Sequence, residues 1–240
     1  MPEKVDSAYV GNELELFSHA QNWKRYWSSL IQPFLRGDVL EVGAGMGTNT
    51  RLLRNEQQRR WVCLEPDGRL LEQFHQSLAQ DPLPQKCEIR QGTIADLPAT
   101  DKFDALIYID VLEHIPDDAA ELKRAAAHLN PGGRVIVLSP AHQWLFSPFD
   151  AAIGHCRRYT KSSLRAAGAG ANELRLERLV YLDSFGLFAS AGNRLLLRQS
   201  MPTLQQILFW DRVLVPCSRM LDRYFGRQLG KSILGIWQRH

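Results

Sequence analysis

Asp38-Val-Leu-Glu-Val-Gly-Ala-Gly-Met-Gly-Thr48 is the stretch on which the fold turns. Its opening residues have the apolar, β-branched character of a buried strand, and Gly43, Gly45 and Gly47 follow in G-x-G-x-G spacing. Glycine lets a backbone turn tightly and approach a ligand without a Cβ clash, so the stretch reads as strand, glycine turn and helix start. Dinucleotide sites more often show G-x-G-x-x-G with a diphosphate on the helix N-terminus, whereas the sixth position here is Thr48. Glu41 is unusual in a buried strand. A ligand ammonium group nearby would offset the cost of burying its carboxylate.

Working outward, Val62-Cys-Leu-Glu-Pro-Asp67 closes a second strand with Glu65, where a carboxylate can accept hydrogen bonds from both hydroxyls of a ribose. Short β-rich runs then alternate with helical stretches, the pattern of successive β-α-β units. The expected strands are Asp38–Val42, Trp61–Glu65, Glu88–Gln91, Ala105–Ile109, Arg134–Leu138, Leu174–Tyr181 and Ser232–Gln238, and the carboxyl ends of the first five should define the site. A loop-rich segment covers 139–159, followed by a helix near Lys161–Ala167.

Four parts of one domain are expected: a helical cover over 1–37, a core over 38–181, a helical insertion over 182–230 and a last strand over 231–240. The cover is amphipathic over Leu14–Leu35, with Phe17, Trp23, Tyr26 and Trp27 among polar residues. Apolar spacings of three and four mark the insertion as helical, and Pro202 and Pro216 should divide it.

With 45% apolar and 23% charged residues in 240, the chain has the composition of an ordinary soluble protein. A net charge of +3 does not point to nucleic acid without a clustered basic face. Cys63, Cys87, Cys156 and Cys217 are scattered and form no paired C-x-x-C ligand set, which argues against a zinc site or a dense disulfide framework. No secretory signal is read at the start, and no apolar run approaches the roughly 18 residues of a membrane span. A cytoplasmic location is the expectation.

The acidic glycine turn, the acid closing strand two and the acid-rich segment Tyr108-Ile-Asp-Val-Leu-Glu-His-Ile-Pro116 after strand four stand in order, and in that combination the chain resembles the class I methyltransferase family. The resemblance implies a Rossmann-like, doubly wound α/β fold whose seven-stranded sheet is mostly parallel with an antiparallel last strand. It also implies S-adenosyl-L-methionine as methyl donor and S-adenosyl-L-homocysteine as product. Adenosylmethionine carries the ammonium that Glu41 calls for, and NAD does not. Cofactor contacts are expected at Glu41, Gly43, Ala44, Gly45, Gly47, Glu65, Pro66, Thr93, Ile94, Asp110 and Val111. Gly92-Thr-Ile-Ala-Asp-Leu-Pro98 resembles the segment bordering adenine, and Leu129-Asn-Pro-Gly-Gly133 the turn into strand five. Many relatives carry aspartate where Thr93 stands, so Asp96 or main-chain atoms would serve the adenine amino group here.

The loop Ser139–Tyr159 mixes aromatic, acidic, imidazole and guanidinium groups, and it resembles the acceptor loop of a bacterial methyltransferase subgroup. Sulfonium methyl transfer needs alignment, desolvation and in some cases proton removal, and no metal is obligatory; none is expected. Candidate bases are His114, His142 and His155, with His155 favoured and His114 competing. Arg157 or Arg158 would hold an anionic acceptor group, Tyr159 would fix orientation and Tyr26 would contact the acceptor from the cover. A plainer reading pairs Asp150 with one of the arginines and has His155 hold the loop shut.

Between Ser190 and Lys231 the insertion carries Arg194, Arg198, Arg212, Arg219, Arg223, Arg227 and Lys231 against Asp211 and Asp222, interleaved with Leu204, Ile207, Leu208, Trp210, Val213, Leu214 and Val215. A lid, a dimer face, a hydrophobic or carrier-bound acceptor and an anionic membrane surface all suit that mixture. The expected activity is methyl transfer to a small-molecule or lipid- or carrier-linked acceptor; oxygen is the favoured atom, and the sequence leaves nitrogen and carbon open. A binding protein that keeps the fold without chemistry is the alternative, and a nicotinamide oxidoreductase fits Glu41 and the strand-four segment poorly. No nucleic-acid partner is expected; peripheral membrane contact and a homodimer stay open.

Overall fold

The computed structural model describes residues 17–83, 85, 87–192 and 203–240. The cover begins with α1 (Gln21–Ile31), and a 3₁₀ turn, Gln32–Phe34, leads from it to β1 (Gly37–Val42). Trp23, Tyr26, Trp27 and Ile31 recur at helical spacing and form its buried face. Ile31 and Leu35 are fully buried, each worth roughly 1.5–3 kcal/mol for leaving water.

The β-α alternation continues through α2 (Thr48–Leu53), β2 (Gln58–Glu65), α3 (Gly68–Gln80), β3 (Glu88–Gln91), β4 (Phe103–Ile109), α4 (Asp118–Ala127) and β5 (Leu129–Pro140). Beyond β5 come α5 (Pro148–Ala152), α6 (Lys161–Ala169), β6 (Leu174–Leu182), α7 (Ser184–Gly192), α8 (Leu204–Phe209), α9 (Val215–Tyr224) and β7 (Ser232–Arg239). The seven strands lie in the order β3-β2-β1-β4-β5-β7-β6. Strands β1 to β5 pair in parallel, and β7 runs antiparallel to both β5 and β6. Strand order reverses between β1 and β4, and a crevice opens beyond the carboxyl ends at such a point.

Both faces of the sheet are covered, which explains the continuous apolar strands. Val39, Ile107, Ile136 and Ile236 pack under α1 and the insertion, while their neighbours Leu40, Leu106, Val135 and Trp237 pack under α4 and α6.

The expected strands are present, several of them longer. β2 starts at Gln58 because the buried Gln58 side chain donates to Leu35 O at 2.8 Å. Strand β5 takes in Leu129–Gly133, expected as a turn: Leu129 pairs with Phe103 before a bulge, and regular pairing resumes at Arg134. Pro216 does not divide the insertion. A π-helical turn, Trp210–Leu214, joins α8 to α9, and Pro216 sits in the first turn of α9. The wider turn accommodates the hydrogen bond that proline cannot donate. Pro202, Arg194, Arg198 and the start of the expected cover at Leu14 lie outside the described residues.

Acids of the insertion lock it to the cover. Asp211 accepts from the amides of Asn22 and Trp23 at 3.1 and 2.8 Å, which serves the otherwise uncapped start of α1. Among the described residues, no helix is long and apolar enough to cross a membrane.

Candidate active site

The glycine turn leaves β1 with Gly43, Gly45 and Gly47 all at positive φ, 69°, 54° and 77°. A Cβ at Gly43 would stand 2.6 Å from the Val111 side chain and one at Gly47 2.0 Å from Phe74, whereas one at Gly45 would meet nothing within 4 Å. Packing therefore requires two of the glycines, and the third faces open space. Gly43 and Ala44 donate their amides to Leu64 O, and Gly45 donates to Glu65 Oε2 at 2.7 Å.

Glu65 also accepts from the Asp67 amide at 2.9 Å, through Oε1. Burial raises its pKa above the ordinary carboxylate range. Each oxygen keeps capacity for a further donor. Beneath the turn, Glu41 is 2% exposed, and its Oε2 accepts from Thr50 Oγ1 at 2.6 Å and Trp61 Nε1 at 3.0 Å. Its Oε1 has no hydrogen-bond partner among the described residues, and burial pushes the carboxyl up to about 7. An orphaned carboxylate oxygen, an open side at Gly45 and spare acceptor capacity at Glu65 fit a ligand bearing both an ammonium group and a ribose diol.

Further along the crevice, Pro66 is exposed and Ile94 is buried. Asp96 Oδ2 accepts from the Thr93 amide at 2.7 Å and the Thr93 hydroxyl at 2.9 Å, and these bonds hold Asp96 below its ordinary pKa. That oxygen caps the turn, which leaves it less suited to the adenine role expected of Asp96. Asp110 closes β4 with a left-handed φ of 54°. It is exposed to solvent, and desolvation by the protein around it pushes its carboxyl up to about 6.

Directly after Asp110 and Val111, the turn Leu112–His114 presents Glu113 and His114, and the loop after α5 brings His155 against them. The two imidazoles meet edge to face with centroids 4.6 Å apart. Glu113 is fully buried; its Oε2 accepts from Ser139 Oγ at 2.9 Å, and its Oε1 lies 3.9 Å from His155 Nε2. Burial, reinforced by Asp110, raises Glu113 well above the carboxylate range. Burial and neighbouring His155 lower His114 to about 4.

His155 Nδ1 lies 2.9 Å from Asp150 Oδ1. Asp150 also accepts from Arg158 Nε at 2.8 Å and from the Ser147 amide and hydroxyl at 2.8 and 2.7 Å. Burial works against its charge, but the bonds from His155 and Arg158 hold Asp150 well below the usual range.

Several expected acceptor contacts are committed elsewhere. Arg158 is paired with Asp150, and Arg157 lies 2.6 Å from Asp118 Oδ2 while donating to Pro116 O. Tyr159, expected to orient an acceptor, is buried and donates to Asp118 Oδ2 at 2.7 Å. Tyr26 is 1% exposed and donates to Asp222 Oδ2 at 2.9 Å, which makes it a strut between cover and insertion rather than an acceptor contact. His142 stacks on Tyr181, and its Nε2 lies 3.0 Å from Gly230 O. The Arg158–Asp150 pair is the one the plainer sequence reading offered; for Arg157, Tyr159, Tyr26 and His142 the partner is a carboxylate or carbonyl from a distant element, which residue type alone does not reveal.

The sequence reading left out Glu113 as a site group and Asp150 as the partner of His155, and it gave Lys231 only as part of the insertion's basic bias. The Ser147-Pro-Phe-Asp150 capping box was a usable signal for a helix start that presents Asp150. Lys231 lies 3.6 Å over the Trp210 ring and 3.8 Å from Asp183 Oδ2, a contact for which adjacent sequence holds no sign.

A family profile described as "Methyltransferase domain" matches residues 17–172. A demethylmenaquinone methyltransferase of Tropheryma whipplei is 30% identical over 158 residues, covering 62% of this chain and 62% of the relative. A ubiquinone biosynthesis O-methyltransferase of Xylella fastidiosa is 30% identical over 106 residues, 44% of this chain and 42% of the relative. The chain thus spans less than two thirds of the length of either. An S-adenosylmethionine-dependent methyltransferase structure from Clostridium acetobutylicum superposes with a TM-score of 0.59 at 12% identity over 92% of both chains, a likeness of fold.

Proposed function

From the premise that the chain belongs to the class I S-adenosylmethionine-dependent methyltransferase family, we propose that it transfers the methyl group of S-adenosylmethionine to an oxygen of a small-molecule or lipid-like acceptor at the Glu113–His114–His155 cluster. One observation carries this reading. Gly45 and Glu65 stand at the carboxyl ends of β1 and β2, and beyond the end of the adjacent β4, marked by Asp110, Glu113 and His114 meet His155 and its partner Asp150.

S-adenosylmethionine, when bound, supplies a methyl group already activated by its sulfonium. The protein's part is binding, alignment and management of the acceptor proton. In this reading Glu65 receives the ribose hydroxyls, Glu41 lies toward the ammonium, Thr93 and Ile94 border adenine, and Val111 supports the glycine turn. His155, oriented by Asp150, serves acceptor activation, with His114 beside it. The curated relatives named for demethylmenaquinone and ubiquinone support an acceptor of quinone type.

Incubation with labelled S-adenosylmethionine and a panel of quinol-type acceptors tests the proposal. Label in product, abolished by Glu65→Ala, is the expected outcome. Binding of the donor without transfer to any acceptor favours the non-catalytic alternative, and absence of donor binding by folded protein overturns the reading.

A second reading concerns where the acceptor is met. Phe209, Val213, Met220 and Tyr224 are exposed at spacings of four, seven and four along α8, the π turn and α9, and exposed Arg212, Arg219 and Arg223 flank them. Asp211 and Asp222 are buried in contacts with the cover, so the outer face is basic and apolar. This combination supports peripheral contact with an anionic membrane. Co-sedimentation with phosphatidylglycerol but not phosphatidylcholine vesicles is expected, and a homodimer closing over that face in light scattering would replace this reading. The four free cysteines suit the cytoplasmic location that goes with it.

A further inference from the structure

We propose that Glu113, His114 and His155 bind one divalent cation of the zinc class on the acceptor side of the crevice. The inference deepens the proposed function by giving the means of acceptor activation, but its test does not depend on methyl transfer. Donor atoms of the three residues lie within 4.8 Å of one another. Two arrive on one 3₁₀ turn after β4 and the third on the loop after α5, so the β4 end and that loop converge on one point.

Glu113 Oε1 is the independent observation. It belongs to a fully buried side chain, lacks any hydrogen-bond partner among the described residues, and faces His155 Nε2 at 3.9 Å. A buried carboxylate oxygen without a partner is costly. Asp150 is the acceptor at His155 Nδ1, so the neutral imidazole carries its proton on Nδ1 and turns the Nε2 lone pair toward Glu113. With Glu113 ionised, two lone pairs face each other across a gap too long for a shared hydrogen bond. A cation between them satisfies both.

The donor set selects the cation. Two imidazoles and one carboxylate are the ligands of open, catalytic zinc sites, whereas magnesium and calcium take oxygen ligands. Bonds of about 2.0–2.2 Å at tetrahedral angles place donors roughly 3.4 Å apart, so the cluster closes by about half an ångström on its Glu113–His155 edge. Asp150 completes the arrangement from behind, since a ligating histidine commonly donates its other N–H to a carboxylate.

Three protein ligands leave a fourth position for the acceptor hydroxyl. There its O–H bond breaks and the proton passes to water, at a lowered pKa. The oxygen's electron pair then forms the C–O bond while the S–CH₃ bond breaks and sulfur keeps its pair. His155 therefore acts in acceptor activation as a ligand.

Protein stripped with a chelator and titrated with Zn²⁺ by calorimetry, and with Co²⁺ by visible absorption, tests the site. Expected are one equivalent of Zn²⁺, a Co²⁺ spectrum of tetrahedral intensity and no response to Mg²⁺. Glu113→Gln, which keeps shape and the Ser139 contact, and His114→Ala should each weaken Zn²⁺ binding at least tenfold. Asp150→Asn should weaken it about 10–100-fold. Circular dichroism and melting curves establish that each variant is folded. No stoichiometric binding by the wild-type protein overturns the proposal, as does binding unchanged in folded Glu113→Gln and His114→Ala. Methyl transfer that proceeds in metal-free protein leaves the proposed function standing alone, and Zn²⁺ binding without donor binding does the reverse.

Discussion

Gly45 donates its amide to Glu65 Oε2 at 2.7 Å, so the glycine turn after β1 and the acid that closes β2 form one unit. The loop that must shape itself to a ligand is held by the same carboxylate that is available to the ligand's hydroxyls.

Glu65→Ala should therefore do two things. It frees the Gly45 and Asp67 amides and removes the ribose acceptors. Hydrogen bonds to a charged group are worth about 1.5–3 kcal/mol each, so S-adenosylmethionine binding should fall at least tenfold, measured by calorimetry. An unchanged affinity in a folded variant would remove Glu65 from the site.

Gly43→Ala and Gly45→Ala should separate packing from access. At Gly43 the new methyl collides with Val111, and the positive φ adds strain, so a clear loss of melting temperature is expected. At Gly45 space is open and strain alone costs about 1 kcal/mol, yet the methyl enters the ligand's approach. Near-native stability with lost cofactor binding is the expected result for Gly45→Ala.

Glu41 ties stability to pH. Its folded pKa of about 7 stands above the usual carboxylate value. The folded state therefore binds the proton more tightly, and stability falls as pH rises through that interval, levelling off above 7. Glu41→Gln should flatten this segment of the profile in urea unfolding between pH 4.5 and 7.5. If a ligand ammonium pairs with ionised Glu41, cofactor binding should strengthen as pH rises toward 7 and release a proton, visible as a buffer-dependent calorimetric heat. Glu41→Gln should show no such heat.

Tyr26→Phe tests whether this side chain is a strut. Loss of its bond to Asp222 leaves a buried acceptor that still receives the Asp183 and Ser184 amides, so destabilisation of about 1 kcal/mol is expected with an unchanged acceptor KM. A large rise in KM at native stability would return Tyr26 to the acceptor site. Asp222→Ala strands several buried donors and should destabilise by several kcal/mol in the same unfolding assay.

What the sequence by itself determined is local. The apolar run at Val39–Val42, the left-handed glycines that end it and the acid closing Val62–Glu65 act through conformational limits spanning a few residues, and they mark the β-α alternation and the crevice edge. Pro216 shows the boundary of such reasoning, since whether a proline breaks a helix or follows a π turn depends on the surroundings that hold the helix together. Only tertiary structure decided which acid each basic or hydroxyl group meets: Asp222 for Tyr26, Asp118 for Arg157 and Tyr159, and Asp150 with Glu113 for His155. The physical reason is that a buried carboxylate takes whichever donors the docking of separate elements delivers to it. That docking is set by the packing of the whole sheet and its two covers.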